Sequence, residues 1–116
     1  MSFKIDRISS NMVKEISYIL MTEVKDPNVK FVTVTDVKVT TDLSYAKVYV
    51  TVLNEEYIKE TLKALNNAKG FIRNILKDRM DIRNIPELEF VYDESIEYGN
   101  KIEKIIDDIH KENWFN

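Results

Sequence analysis

Between residues 5 and 24 the apolar positions Ile5, Ile8, Met12, Ile16, Ile19 and Leu20 recur at helical steps, which line one face of an α-helix. Asp26-Pro27 follows, and proline pushes the residue before it out of the helical region, so the helix ends there. The run "FVTVTDVKVTT" (31–41) is rich in β-branched residues and alternates with period two, as a strand does. Its phase slips: Val32 and Val34 point one way, Val37 and Val39 the other. A bulge near Asp36 accounts for the slip; so does a strand partly covered on both faces. "DLSY" (42–45) reads as a turn, with Asp36 and Asp42 serving bulge and turn through their own backbone. "AKVYVTVL" (46–53) then alternates cleanly, making an antiparallel hairpin. Residues 55–80 read as helix interrupted at Gly70, 88–92 as a short strand after Pro86, and about 97–113 as a last helix with Ile102, Ile105, Ile106 and Ile109 as its stripe. The order is α-β-β-α-α-β plus a C-terminal helix. Three strands cannot close a barrel, so the class is α+β, an open three-stranded sheet with helices on one face.

The glycine at 70 asks for a reason, because glycine inside a helix costs about 0.5–1 kcal/mol relative to alanine. On a helical wheel Leu62, Leu65, Ala68, Ile72, Ile75, Leu76 and Met80 gather on one side. Lys59, Lys63, Asn66, Gly70, Arg73 and Lys77 gather on the other, so Gly70 is placed in a solvent-facing basic row. Two explanations compete: Gly70 is a left-handed C-cap between two helices, or its missing side chain admits close approach by something outside. They are compatible, since a break also exposes the first amides of the second helix, which attract phosphate.

Charge sharpens this picture. The chain of 116 residues has net charge −3, which by itself argues against nucleic acid. Yet 59–83 holds Lys59, Lys63, Lys69, Arg73, Lys77, Arg79 and Arg83 against only Glu60, Asp78 and Asp81, while 84–116 is strongly acidic. The candidate RNA-binding residues are Lys63, Lys69, Arg73 and Lys77 for phosphates and Ala68 to Gly70 for close approach, with Arg7 and Lys14 on the first helix extending the patch. The commoner role of such a run is a solvated face.

Other chemistry has less support. The chain has no cysteine, which excludes disulfides and thiolate metal sites. The only histidine, His110, stands in an acidic stretch, a poor setting for a nucleophile triad. Asp93, Glu94 and Glu97 offer oxygens to magnesium, but a charged helix N-terminus explains them better; no catalytic residue, metal or cofactor is expected. Tyr49 offers a ring for a base or simply covers a neighbour, and Trp114-Phe115 packs, frays or anchors a partner. The longest apolar run, "YILM", is too short to span a bilayer, and "MSFKIDR" lacks a signal-peptide core. The expectation is a soluble, cytoplasmic monomer that is not an enzyme. The alternative is a protein–protein adaptor using a sheet edge or the acidic last helix.

The element order, with a glycine-bearing break between paired helices, resembles a type II KH domain, whose GXXG loop clamps a nucleic-acid backbone. Here Ala68-Lys69-Gly70 stands in its place. That substitution is similar to the ribosome-binding factor A family, whose members carry an alanine-x-glycine kink there. Further likeness lies in Asp26-Pro27, in "VTVTDVKVTTDLSYAKVYVTVL", in Gly70 with Phe71-Ile72-Arg73, and in Arg83, Pro86, Leu88, Phe90 and Asp93 of "IRNIPELEFVYDES". The resemblance covers nearly the full length. It implies a KH-like RNA-binding domain at 1–93 with an acidic helical extension at 94–116. It implies a non-enzymatic factor that binds the small (30S) ribosomal subunit and its 16S rRNA, supports late maturation and 5′-end processing, works beside other assembly factors and is linked to growth in the cold.

Overall fold

The computed structural model describes residues 3–29 and 31–95. The expected C-terminal helix, with Glu97, His110 and Trp114-Phe115, lies outside the described residues. Within them the order is α1 (Phe3–Thr22), β1 (Val32–Val39), β2 (Tyr45–Val52), a 3₁₀ turn at Glu55–Tyr57, α2 (Ile58–Asn67), α3 (Lys69–Arg79) and β3 (Glu87–Tyr92). The α+β order expected from the sequence is therefore observed. Helix α1 stops at Thr22, before the Asp-Pro pair, with the N–H groups of Glu23 and Val24 both on the Ile19 carbonyl. The second helical segment begins later than 55 because the 3₁₀ turn takes its first residues.

The sheet is mixed and ordered β1-β2-β3. Strands β1 and β2 form the antiparallel hairpin, and β2 and β3 run parallel. Parallel neighbours need a long crossover, and here it is the α2–α3 pair. Helix α1 contributes Ile8, Met12, Ile16, Ile19 and Leu20 to the core, α2 and α3 contribute Leu65, Ile72 and Leu76, and the sheet answers with Val34, Val37, Val48, Val50, Leu88 and Phe90. All of these residues are buried.

The slipped phase of β1 is a bulge. The register shifts between Val34 and Asp36, so one extra residue lets Val34 and Val37 both face the core. Asp36 Oδ1 accepts the Val37 N–H at 2.8 Å. Thr35 donates to Asp93 Oδ2 at 2.6 Å, tying the first strand to the residue that follows the last. In the hairpin turn Asp42 Oδ1 accepts from Thr40 Oγ1 and from Ser44 N and Oγ, which supports Leu43 at φ 60°.

Hydrogen bonds from the Ser95 hydroxyl and then from Thr35 hold the Asp93 carboxyl below its ordinary 3.8. A depressed carboxylate contributes stability that is complete above its unfolded value and is lost as pH falls through the folded one. The urea midpoint of wild type is therefore expected to exceed that of Asp93→Asn by a constant margin from pH 7 to 5. The margin closes below pH 3.8; a margin independent of pH down to 2.5 would show that the tie carries no linked proton.

Candidate nucleic-acid interface

The α2–α3 corner is built around Ala68. Its φ and ψ are −90° and 0°, and its N–H is shared between the carbonyls of Ala64 and Leu65 at 3.0 and 3.1 Å. Such sharing tightens the last turn of a helix, and Asn66-Asn67, poor helix formers, are where it happens. Helix α3 then starts at Lys69, with the Ile72 N–H on the Ala68 carbonyl at 3.0 Å. Lys69, Gly70 and Phe71 are its first residues, whose N–H groups have no acceptor within their own helix, and no side chain caps this end.

This corrects one reading of the glycine. Gly70 is not a left-handed C-cap: among the described residues no glycine has positive φ, and Gly70 lies one residue inside α3. A Cβ placed on it meets nothing within 4 Å. Neither backbone angle nor internal packing requires glycine here. The residue is exposed, and what its bareness leaves is an open approach to the start of α3.

The basic row is corrected as well. Asn66 and Arg73 are not solvent-facing; both are half-buried and hold the last strand and the segment leading into it. Asn66 Nδ2 donates to the Phe90 carbonyl at 3.1 Å while its Oδ1 accepts the Phe90 N–H at 3.0 Å. Arg73 donates from Nε and a terminal nitrogen to the Ile85 carbonyl at 3.0 and 2.7 Å. A wheel shows which side of a helix is polar, but a chain segment can return across that side, as 81–90 does.

Lys63, Lys69 and Lys77 are exposed and form no ion pair among the described residues. Lys69, Arg73 and Lys77 descend α3 at four-residue steps, on one side of that helix. Lys69 lines a hollow of about 340 Å³ with Lys38 and Lys47, and also with Glu87 and Glu89. Lys38 and Lys47 face each other directly across the hairpin, a like-charge placement that costs stability, eased by the Tyr49 ring 5.5 Å from the Lys38 ammonium. Sequence reasoning left these two lysines out, although the "DLSY" turn position fixes their pairing. Arg73 shares a second hollow with Lys4 and Arg83, beside Asp42, Asp81 and Glu87. Arg7 lies with Lys4 and Arg79 at the far end of α3. There Arg79 stacks on Tyr18, 4.3 Å from the ring centre, and pairs with Glu15. Lys14 is exposed on α1. Asp93 and Glu94 form no metal cluster with other described residues; Asp93 instead caps Ser95. No helix among the described residues is long and apolar enough to cross a membrane.

In class, then, this is an α+β domain whose crossover is a bent helix pair with cations at the bend. The chain belongs to the ribosome-binding factor A family, whose model matches residues 4–106. It is 57% identical over 107 residues to the ribosome-binding factor A of Staphylococcus carnosus, covering 91% of this chain and 93% of that one. The crystal structure of ribosome-binding factor A from Thermus thermophilus superimposes with a TM-score of 0.69 at 26% identity, over 76% of this chain and 94% of that chain. A Thermus thermophilus ribosome binding factor A fitted into the cryo-electron-microscopy map of a 30S complex matches with a TM-score of 0.64 at 27% identity, over 74% and 91% of the two chains.

Proposed function

We propose that this protein is a non-enzymatic assembly factor that binds the small ribosomal subunit through its 16S rRNA and supports late maturation, including processing of the rRNA 5′ end. The α2–α3 corner acts as the KH-like clamp. Exposed amides at the start of α3 take a phosphate, Gly70 lets the RNA backbone come close, and Lys63, Lys69 and Lys77 neutralise its neighbours. Arg73 contributes mainly by fixing α3 to the segment before β3. Phosphate contacts give affinity without sequence information, so preference for one rRNA conformation comes from shape, and it is this preference that biases RNA folding. Membership of the family and the relative fitted into a 30S map support the reading.

The observation that carries it is an exposed, helical glycine with open space above it and no internal need to be glycine. Gly70→Gln tests it. Glutamine is the better helix former, so folding stability is expected to hold or rise by about 0.5 kcal/mol. Co-sedimentation with purified small subunits is expected to drop sharply. A variant that is more stable and still sediments with subunits as wild type does would remove the clamp from the proposal.

A further inference from the structure

The end of the domain where β1 begins and β2 finishes is apolar and open. Phe31, Leu53 and Met21 are 73, 77 and 79% exposed, and Tyr57 is exposed beside them. The Leu53 N–H on the Phe31 carbonyl at 3.2 Å joins the first two. Phe31 has φ 57°, a left-handed conformation that is unfavourable for a bulky residue. Here the residue stays 73% exposed, so full burial does not offset that conformation. Beside Phe31, Leu53 and Tyr57 runs a groove of about 270 Å³, lined also by Pro27, Val52 and Thr61. It adjoins a larger hollow past Met21 and Val24.

The charges around it select the occupant. Glu23 and Asp26 flank Met21 and Pro27, and Glu55 and Glu56 form the turn that carries Tyr57; all are exposed. Lys25 opposes them, and with Lys30 counted by sequence the surroundings remain acidic; Lys59 and Glu60 offset one another. RNA phosphates are repelled by such a rim. So is the chain's own acidic stretch 96–116 and, face to face, a second copy. We infer that this groove docks a basic, apolar-bearing polypeptide segment of a small-subunit protein, giving the factor a protein contact apart from its RNA contact. The inference rests on the subunit-binding function proposed above.

Full-length protein carrying the photo-crosslinker p-benzoylphenylalanine at position 53 is irradiated with purified immature small subunits. The expected adduct survives ribonuclease and maps by mass spectrometry to a lysine- or arginine-rich segment of a ribosomal protein. An adduct to rRNA, to residues 96–116, to a second copy, or none at all while the protein sediments with subunits, overturns the inference. In parallel, Leu53→Ser is expected to weaken binding to subunits about tenfold and to leave affinity for naked 16S rRNA and the melting temperature unchanged. Unchanged subunit binding, or equal loss on naked rRNA, overturns it too. If wild-type protein fails to bind subunits, the functional reading itself falls and takes this inference with it; loss of the crosslink alone removes only the groove.

Discussion

Exchanging Lys69 and Lys77 together for glutamate is expected to weaken association with small subunits about a hundredfold while leaving the circular-dichroism spectrum unchanged. Both side chains are exposed and form no ion pair among the described residues, so removing them breaks nothing internal. Each reversal deletes a phosphate contact and adds repulsion; about 1.4 kcal/mol apiece gives the hundredfold product. With about four or five phosphates neutralised, wild type should show a log–log salt slope near −3 to −4, and the double variant a slope shallower by about two. Binding titrations at several salt concentrations read both quantities. Arg73 is deliberately left out, since its guanidinium holds the Ile85 carbonyl and its loss would confuse folding with binding. A flat salt response in wild type, or an unchanged affinity in the variant, would dissociate these lysines from the RNA.

The largest stability effect outside the apolar core is expected at Asn66. Its amide exchanges two hydrogen bonds with Phe90 on the open edge of β3 and adds a third to the Leu62 carbonyl. Asn66→Ala leaves a strand amide and carbonyl without their partner beneath α2. At about 1 kcal/mol or more for each stranded group, the loss is about 2–3 kcal/mol, which lowers the melting temperature by roughly 10 °C or more in a domain of this size. Calorimetry measures it directly. A shift under 2 °C would mean that water replaces the amide fully. The same contact bears on the adaptor alternative: Asn66 occupies both the N–H and the carbonyl of Phe90 on the β3 edge, two of the groups an added strand would need.

The main elements were legible because their periodicities are strong. The α1 stripe and the clean alternation of β2 each mark one face for the core, whereas the slipped phase of β1 fits a bulge or a strand covered on both faces, and the register shift between Val34 and Asp36 decides for the bulge. The bend was legible from the resemblance and from Gly70, but its mechanics were not. The sequence pointed to the glycine, whereas the chain turns at Ala68 by sharing one amide between two carbonyls, a choice between neighbouring hydrogen bonds that composition does not express. The roles of Asn66 and Arg73 were hidden for a different reason: their partners are backbone groups in and just before β3, many residues distant, and a backbone group has no residue type to read. Phe31, Leu53 and Met21 belong to none of these stripes, and their shared exposure at one end of the domain was hidden, since period-two and period-3.6 patterns do not say which residues at the ends of elements meet.

The parallel pairing of β2 with β3 has a consequence for how the chain comes into being. Leu88 and Phe90 belong to the core and are, among the described residues, its last members to be synthesised. Until they arrive, the flank of β2 that will receive them stays unpaired beside the apolar row of Val48 and Val50. A nascent or prematurely terminated product ending before residue 87 therefore carries a naked hydrophobic ribbon, competent to pair with any extended segment it meets. In the folded domain β3 closes that flank.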